Sequence, residues 1–148
     1  MGCTIARIAG KLVMCLWLTT VPADTQKIAM QLDADWRLCT AAGGAGRYFA
    51  DAAGLAHSAV SELQSAIVAV CTRELEYIGD SAQRLEVTVT RTPDRIEVVM
   101  IRRATDGSGK ASEEQGIIAG VDRVQRETRA EMAITRLTKY VGEQALAG

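Results

Sequence analysis

The chain has 148 residues, 48% of them hydrophobic and 24% charged, which is enough apolar material to bury the core of one globular domain. Its 17 lysines and arginines against 18 aspartates and glutamates give a net charge of -1, which disfavours a nucleic-acid or anionic-membrane partner. The four cysteines, Cys3, Cys15, Cys39 and Cys71, form no C-x-x-C pair. This usage favours a reducing, cytoplasmic protein without a structural metal.

The first 25 residues are similar in composition to a secretory signal. Arg7 and Lys11 precede the apolar run Leu12–Leu18, which is too short to cross a bilayer as a helix. Three interpretations compete: a cleaved export signal, an extra N-terminal strand, or a start assigned upstream of the true one, with Met14 or Met30 available. We favour the second or the third, because the rest of the chain has a cytoplasmic composition.

The next segments predict one strand and one helix. Gln26–Leu32 alternates apolar and polar residues as a strand does, and Asp33 or Asp35 can cap the helix that follows. Apolar or small residues recur at three- and four-residue steps over Trp36–Ala53, which predicts a core helix. The run Gly43–Gly46 lacks the spacing of a phosphate loop and favours close helix-to-sheet contact, with a kink or a late helix start there.

A second and more regular helix is predicted over Val60–Tyr77, and the rest of the chain is organised around it. Gly54 ends the preceding helix, with Leu55 folding back on its last turn, and Ser58 caps the new one. His57, the only histidine, lies in the connection, has no partner at ligand spacing and receives no role. The predicted apolar stripe comprises Val60, Leu63, Ile67, Val70 and Cys71.

Period-two patterns predict an antiparallel hairpin after this helix. Leu85–Val89 and Ile96–Met100 alternate apolar with mostly polar residues around a turn at Thr92–Asp94. One face of this hairpin is therefore expected to be buried.

The last third of the chain begins with a glycine-rich turn at Thr105–Lys110, which favours a plain connector, with weak anion binding as the alternative. A helix is then predicted from Ser112 to Val121. Val124–Thr128 and Met132–Val141 follow as two final strands joined by a tight turn.

The segment Leu63–Arg73 reads L-x-x-A-I-x-A-V-C-T-R. It resembles the first nucleotide-box helix of the GHKL (Bergerat-fold) ATPases, and most closely that of bacterial anti-sigma-factor serine/threonine protein kinases, which usually read L-x-x-A-V-x-E-A-C-T-N. The resemblance covers residues 26–142, with residues 1–25 as an extension and 143–148 as a tail. It implies an α+β fold, a two-layer α/β sandwich with a mixed, mostly antiparallel sheet and helices on one face.

The same resemblance implies a nucleotide site whose chemical groups are replaced. The family's general-base Glu falls on Ala69 and its magnesium-binding Asn on Arg73. A methyl group cannot take a proton, and a guanidinium offers only donors and repels a cation. The adenine-reading Asp and the Gly of the next nucleotide box fall on Arg102 and Ala104. We therefore expect no catalytic residue and no metal ligand, and the pocket positions by resemblance are Arg73, Arg102, Ala104, Asp106, Gly107 and Gly109.

These substitutions predict an anti-sigma-like regulator that binds a protein partner, a sigma factor or an anti-sigma factor antagonist, without nucleotide chemistry. The alternative is an active ATP-dependent serine kinase. Loss of the general base alone would lower the rate of such a kinase by a factor of roughly 10²–10⁴, which argues against it. A third interpretation is an unrelated α/β domain. No cofactor is expected, although the resemblance implies ATP and magnesium, and also a homodimer. Arg73 is predicted to lie buried in the emptied pocket, against Glu76 or a backbone carbonyl.

Overall fold

The computed structural model describes residues 5–8, 11–14, 25–79, 83–104 and 117–142. Near the N-terminus, β1 (Ile5–Ile8) and β2 (Lys11–Met14) pair antiparallel in a two-stranded sheet of their own. β2 covers the first part of the apolar run predicted there, and the remainder of that run lies outside the described residues.

Five further strands form the main sheet in the order β3-β4-β5-β7-β6, and each neighbouring pair is antiparallel. The α+β class predicted from the sequence is confirmed, but the part of the sheet that the structure describes is wholly antiparallel instead of mixed. The strands are β3 (Gln26–Leu32), β4 (Leu85–Arg91), β5 (Arg95–Arg103), β6 (Arg123–Arg129) and β7 (Met132–Tyr140).

The predicted hairpin of β4 and β5 is confirmed, including its buried face. Thr92 opens the turn, where its N–H donates to the carbonyl of Arg95 at 2.9 Å and its hydroxyl to the carboxylate of Asp94 at 2.7 Å. Alternate residues of both strands face the helices because side chains alternate along a strand. The buried positions are Leu85, Val87, Val89, Ile96, Val98 and Met100.

The first helix, α1 (Cys39–Ala52), follows one 3-10 turn at Trp36–Leu38. Asp35 caps that turn, as its carboxylate accepts the N–H of Arg37 at 3.0 Å. α1 begins before the run Gly43–Gly46 and continues through it, so the predicted late helix start is wrong.

Gly43 and Gly46 of α1 serve helix-to-helix contact, and the predicted helix-to-sheet role is wrong. A Cβ atom on Gly43 would lie 2.6 Å from Cγ2 of Val68 on the second helix, and one on Gly46 would meet Cδ1 of Ile67. Because glycine has no Cβ, the two helices approach closely along this line.

The end of α1 is a Schellman motif, as Gly54 and Leu55 predict. Gly54 has φ +78° and donates its N–H to Asp51 at 3.0 Å, and the N–H of Leu55 donates to Ala50 at 3.2 Å. Leu55 is half-buried against the core, which turns the chain back toward the second helix.

The second helix, α2 (His57–Ile78), buries the predicted stripe from Val60 to Cys71 against the sheet and α1. It begins earlier than predicted. Its N-cap residue is Ala56, without a side-chain cap, so Ser58 lies inside the first turn and His57 is helical. The predicted cap at Ser58 is therefore wrong.

The chain returns to the sheet through residues 117–122, which are not helical where the sequence predicts the end of a helix. Ile117 is fully exposed, whereas Gly120, with φ +94°, lies against the backbone carbonyl of Glu62 on α2. Residues 112–116 lie outside the described part. The turn between β6 and β7 holds Ala130 and Glu131 at φ +49° and +67°, and positive φ at both central residues is what a type I′ hairpin turn requires.

Candidate functional site

Ala69 and Arg73 lie one turn apart on the exposed side of α2. The side chain of Arg73 makes no hydrogen bond or ion pair with another described residue, and Glu76 is also exposed. The prediction that Arg73 fills a buried pocket is therefore wrong. The reason is helical phase: one residue corresponds to about 100° of rotation, and the side that faces the sheet passes through Glu74 instead.

Glu74 is the buried charge of this region, with only 4% of its surface exposed. Its Oε2 accepts Nε–H of Arg102 at 2.6 Å, and its Oε1 accepts the hydroxyl of Thr135 at 3.1 Å. The side chains of the ion pair are 14% (Arg102) and 6% (Glu74) exposed. The contact joins α2 to β5 and β7 across the interface between the helical layer and the sheet.

Arg102 is held from a second side by an aromatic ring. Its guanidinium carbon lies 4.4 Å from the centroid of Tyr77, a distance typical of a cation–π contact. Tyr77 is itself half exposed and shields the guanidinium from solvent on the outer side. We call Glu74, Arg102, Thr135 and Tyr77 the α2–sheet cluster.

In the α2–sheet cluster, the charged groups of Glu74 and Arg102 are fixed by contacts with each other, with Thr135 and with Tyr77. Each carboxylate oxygen of Glu74 already accepts a hydrogen bond, and a guanidinium has no lone pair with which to accept a proton. A carboxylate that is buried and paired in this way is poorly placed to abstract a proton from a bound molecule. The geometry therefore favours a structural role over general-base catalysis.

Sequence reasoning placed Arg102 at a pocket position but missed Glu74, although a signal for it was available. The apolar stripe of α2 steps by three or four residues through Leu63, Ile67 and Val70, and the next step from Val70 reaches Glu74. A glutamate on a buried stripe needs a cationic partner, and Arg102 provides it from the sheet.

Of the remaining predicted site residues, the structure describes only Ala104. Ala104 is half-buried and donates its N–H to the carbonyl of Glu131 at 2.7 Å, which extends the pairing of β5 with the turn before β7. Asp106, Gly107 and Gly109 lie outside the described residues. Within the described part, no group of three or more His, Cys, Asp or Glu side chains could hold a metal ion.

Cys39 and Cys71 are both fully buried and meet between α1 and α2. Burial raises the pKa of the Cys71 thiol well above its usual range, with a further contribution from its hydrogen bond to Cys39. Protonated and buried thiols are poor nucleophiles. Both cysteines therefore act as small core residues.

Two hollows flank the sheet among the described residues. A mainly apolar groove of about 520 Å³ lies between β3 and α1, with Tyr48 and Phe49 on its helical side. A more polar hollow of about 380 Å³ lies at the far end of β5, where Gln83 and Arg103 contribute to its lining. Oε1 of Gln83 is buried and has no hydrogen-bond partner among the residues that the structure describes.

Comparison with known protein families and with curated proteins finds no match to this chain. Neither helix of the described part combines the length and the apolar character needed to cross a membrane. A proposal for the function therefore rests on the residues and contacts described above.

Proposed function

We propose that this chain is a catalytically silent regulatory protein of the GHKL (Bergerat) type, related to anti-sigma serine kinases, which acts by binding a sigma factor or an anti-sigma factor antagonist. The element order supports the fold assignment. One strand, two helices, a hairpin, a connection and two closing strands follow each other as the resemblance implies, and α2 packs on the sheet.

The observation that carries the loss of nucleotide chemistry is the ion pair between Arg102 and Glu74. The resemblance places an adenine-reading carboxylate at position 102, and this chain has a cation there that is only 14% exposed and already paired. An arginine has no acceptor for the amino group of adenine. Access of an adenine ring to this position would require the pair to separate, which leaves a buried charge without a partner.

The exposed face of α2 supports the same conclusion for the phosphates. Ala69 offers no carboxylate to take a proton, and Arg73 offers no oxygen for magnesium, which prefers carboxylate and carbonyl ligands. Arg73 instead puts a positive charge at the position where the resemblance implies a magnesium ligand. Magnesium-dependent phosphoryl transfer lacks its ligands at these positions.

Binding of a protein partner is supported by aromatic side chains that the fold leaves uncovered. Tyrosine and tryptophan are enriched in protein interfaces, since each provides a large contact area with a polar end. The described residues expose three of them on the helical layer: Trp36 (68%), Tyr48 (64%) and Tyr77 (51%).

Calorimetric titration with magnesium-ATP tests the first half of the proposal. We expect no heat of binding at millimolar nucleotide and no transfer of phosphate to a protein serine. The variant carrying Ala69→Glu and Arg73→Asn should gain affinity for magnesium-ATP, whereas Glu62→Gln, on the same exposed side of α2, should not. Magnesium-dependent phosphate transfer by the unmodified chain would contradict the proposal and establish the kinase alternative.

In vitro transcription tests the second half. The chain is added to core RNA polymerase with each alternative sigma factor of the same genome. We expect inhibition of one of them without added ATP, and relief of that inhibition by an antagonist protein. Failure to bind any sigma factor or antagonist in direct pairwise assays would refute the regulatory assignment, independently of the nucleotide result.

A further inference from the structure

The two helices pack antiparallel, with a register that contacts along their length define. Nη1 of Arg47 donates to Oε1 of Gln64 at 3.0 Å. One turn earlier on α1, Gly43 lies against Val68, which is one turn later on α2. A further turn in the same directions brings the first residue of α1 opposite the turn of α2 that follows Val68.

Cys39 and Cys71 occupy these two facing positions. Both side chains are fully buried, and a hydrogen bond joins them, so the two sulfur atoms are in direct contact. Rotation of the side chains with a small shift of the helices can bring such a pair to the bond length of a disulfide. The packing of α1 on α2 therefore holds two thiols in the arrangement of a disulfide precursor.

The turn that precedes Cys39 is weakly secured. No residue of the 3-10 turn Trp36–Leu38 is buried, and α1 begins after it without a side-chain cap of its own. The carboxylate of Asp35 caps the turn by accepting the N–H of Arg37. A segment with few buried contacts opens locally without global unfolding, so Cys39 is the thiol that solvent reaches first.

We propose that Cys39 and Cys71 form a redox latch, in which a hydroperoxide oxidises Cys39 while the preceding turn is open and the pair then closes to a disulfide between α1 and α2. In the closed fold both thiols remain inert core residues. This inference goes beyond the proposed function and does not depend on it.

The reaction has two steps in which atoms and electrons balance. Sγ of Cys39 attacks one oxygen of hydrogen peroxide, the O–O bond breaks, and the second oxygen leaves as water with the thiol proton, which gives a sulfenic acid. Sγ of Cys71 then bonds to Sγ of Cys39, the S–O bond breaks, and the sulfenic hydroxyl leaves as water with the proton of Cys71. The two thiols lose two electrons, and one peroxide gains them.

Peptide mapping of the folded full chain after treatment with hydrogen peroxide tests the pairing. Remaining thiols are alkylated, and the chain is digested with trypsin without reductant. Because trypsin cuts after Arg37, Arg47 and Arg73, the disulfide should link the peptide of residues 38–47 to that of residues 48–73. The melting temperature should rise by about 10 °C on oxidation, since a crosslink that closes a loop of about 30 residues restricts the unfolded chain.

Single cysteine variants show whether these two thiols are responsible. Cys39→Ala and Cys71→Ala should each lose both the linked peptide and the rise in melting temperature. Comparing oxidised and reduced samples of the same chain removes any effect of the substitution itself on stability. The double variant Cys3→Ser/Cys15→Ser is the matched control and should retain both results.

Asp35→Ala tests the route by which the oxidant reaches Cys39. Loss of this cap should speed formation of the linked peptide about fivefold, because removing a capping carboxylate favours opening of the turn by roughly that factor. Asp33→Ala, which removes only an exposed ion pair with Arg84, should leave the rate unchanged. The proposal is overturned by absence of the linked peptide in the folded chain, by linkage that forms only in urea, or by equal rates for the two aspartate variants.

Discussion

Replacing Arg102 by leucine should destabilise this protein far more than replacing an arginine in an equally short surface pair. The partner of Arg102 is Glu74, whose side chain is 6% exposed, so the leucine variant leaves a carboxylate in the interface with only Thr135 as a donor. Removing one member of a buried ion pair costs about 3–5 kcal/mol. Loss of the contact with Tyr77 adds about 0.5–1 kcal/mol.

The matched control is Arg84→Leu. Arg84 binds Asp33 at 2.9 Å, close to the 2.6 Å of the buried pair, but its side chain is 62% exposed and that of its partner 70%. Exposed ion pairs contribute up to about 1 kcal/mol. The two variants therefore separate the effect of burial from that of distance.

Urea unfolding followed by circular dichroism measures the free energy of unfolding of both variants. The slope of that free energy against urea concentration shows whether the two variants expose a similar surface area on unfolding. We expect Arg102→Leu to lose about 3 kcal/mol more than Arg84→Leu, or about 10 °C in melting temperature for a chain of this size. The double variant Arg102→Leu/Glu74→Leu should recover most of that loss, because no buried charge is left. A cost for Arg102→Leu equal to that of Arg84→Leu, or no recovery in the double variant, would refute the reasoning.

Three further outcomes are expected. Gly43→Ala should lower the free energy of unfolding by about 1–3 kcal/mol in urea, since its Cβ would lie 2.6 Å from a valine methyl of α2, whereas Gly44→Ala, with open space, should raise it by about 1 kcal/mol. Glu131→Gly should raise the melting temperature by relieving φ +67°, and Glu131→Ala, which keeps a Cβ, should not. The hydroxyl of Thr92 lowers the pKa of Asp94, so nuclear magnetic resonance titration of Thr92→Val should find that pKa higher; the corresponding stabilisation is present above the unfolded-state pKa and disappears as the pH falls.

The sequence alone determined the elements whose period is strong. β3 matches its predicted bounds, and the alternation in β4 and β5 places the observed residues in the core, because a one-residue shift would expose every one of them. Gly54 predicted the end of α1 since the left-handed conformation at that point favours glycine. The start of α2 was misplaced by the serine at position 58, as a potential cap residue does not by itself decide where a helix begins.

The candidate site depends on the tertiary structure in a way that local pattern cannot supply. Periodicity puts Arg73 and Glu74 on neighbouring faces of one helix and carries the apolar stripe to Glu74, but the partners that Glu74 meets are decided by how α2 packs on β5 and β7. That packing turns Glu74 inward and leaves Arg73 in solvent. Arg102 is 28 residues from its partner and Thr135 is 61, so only folding brings the three together. Because burying an unpaired carboxylate is costly, Glu74 needs the donors that Arg102 and Thr135 provide.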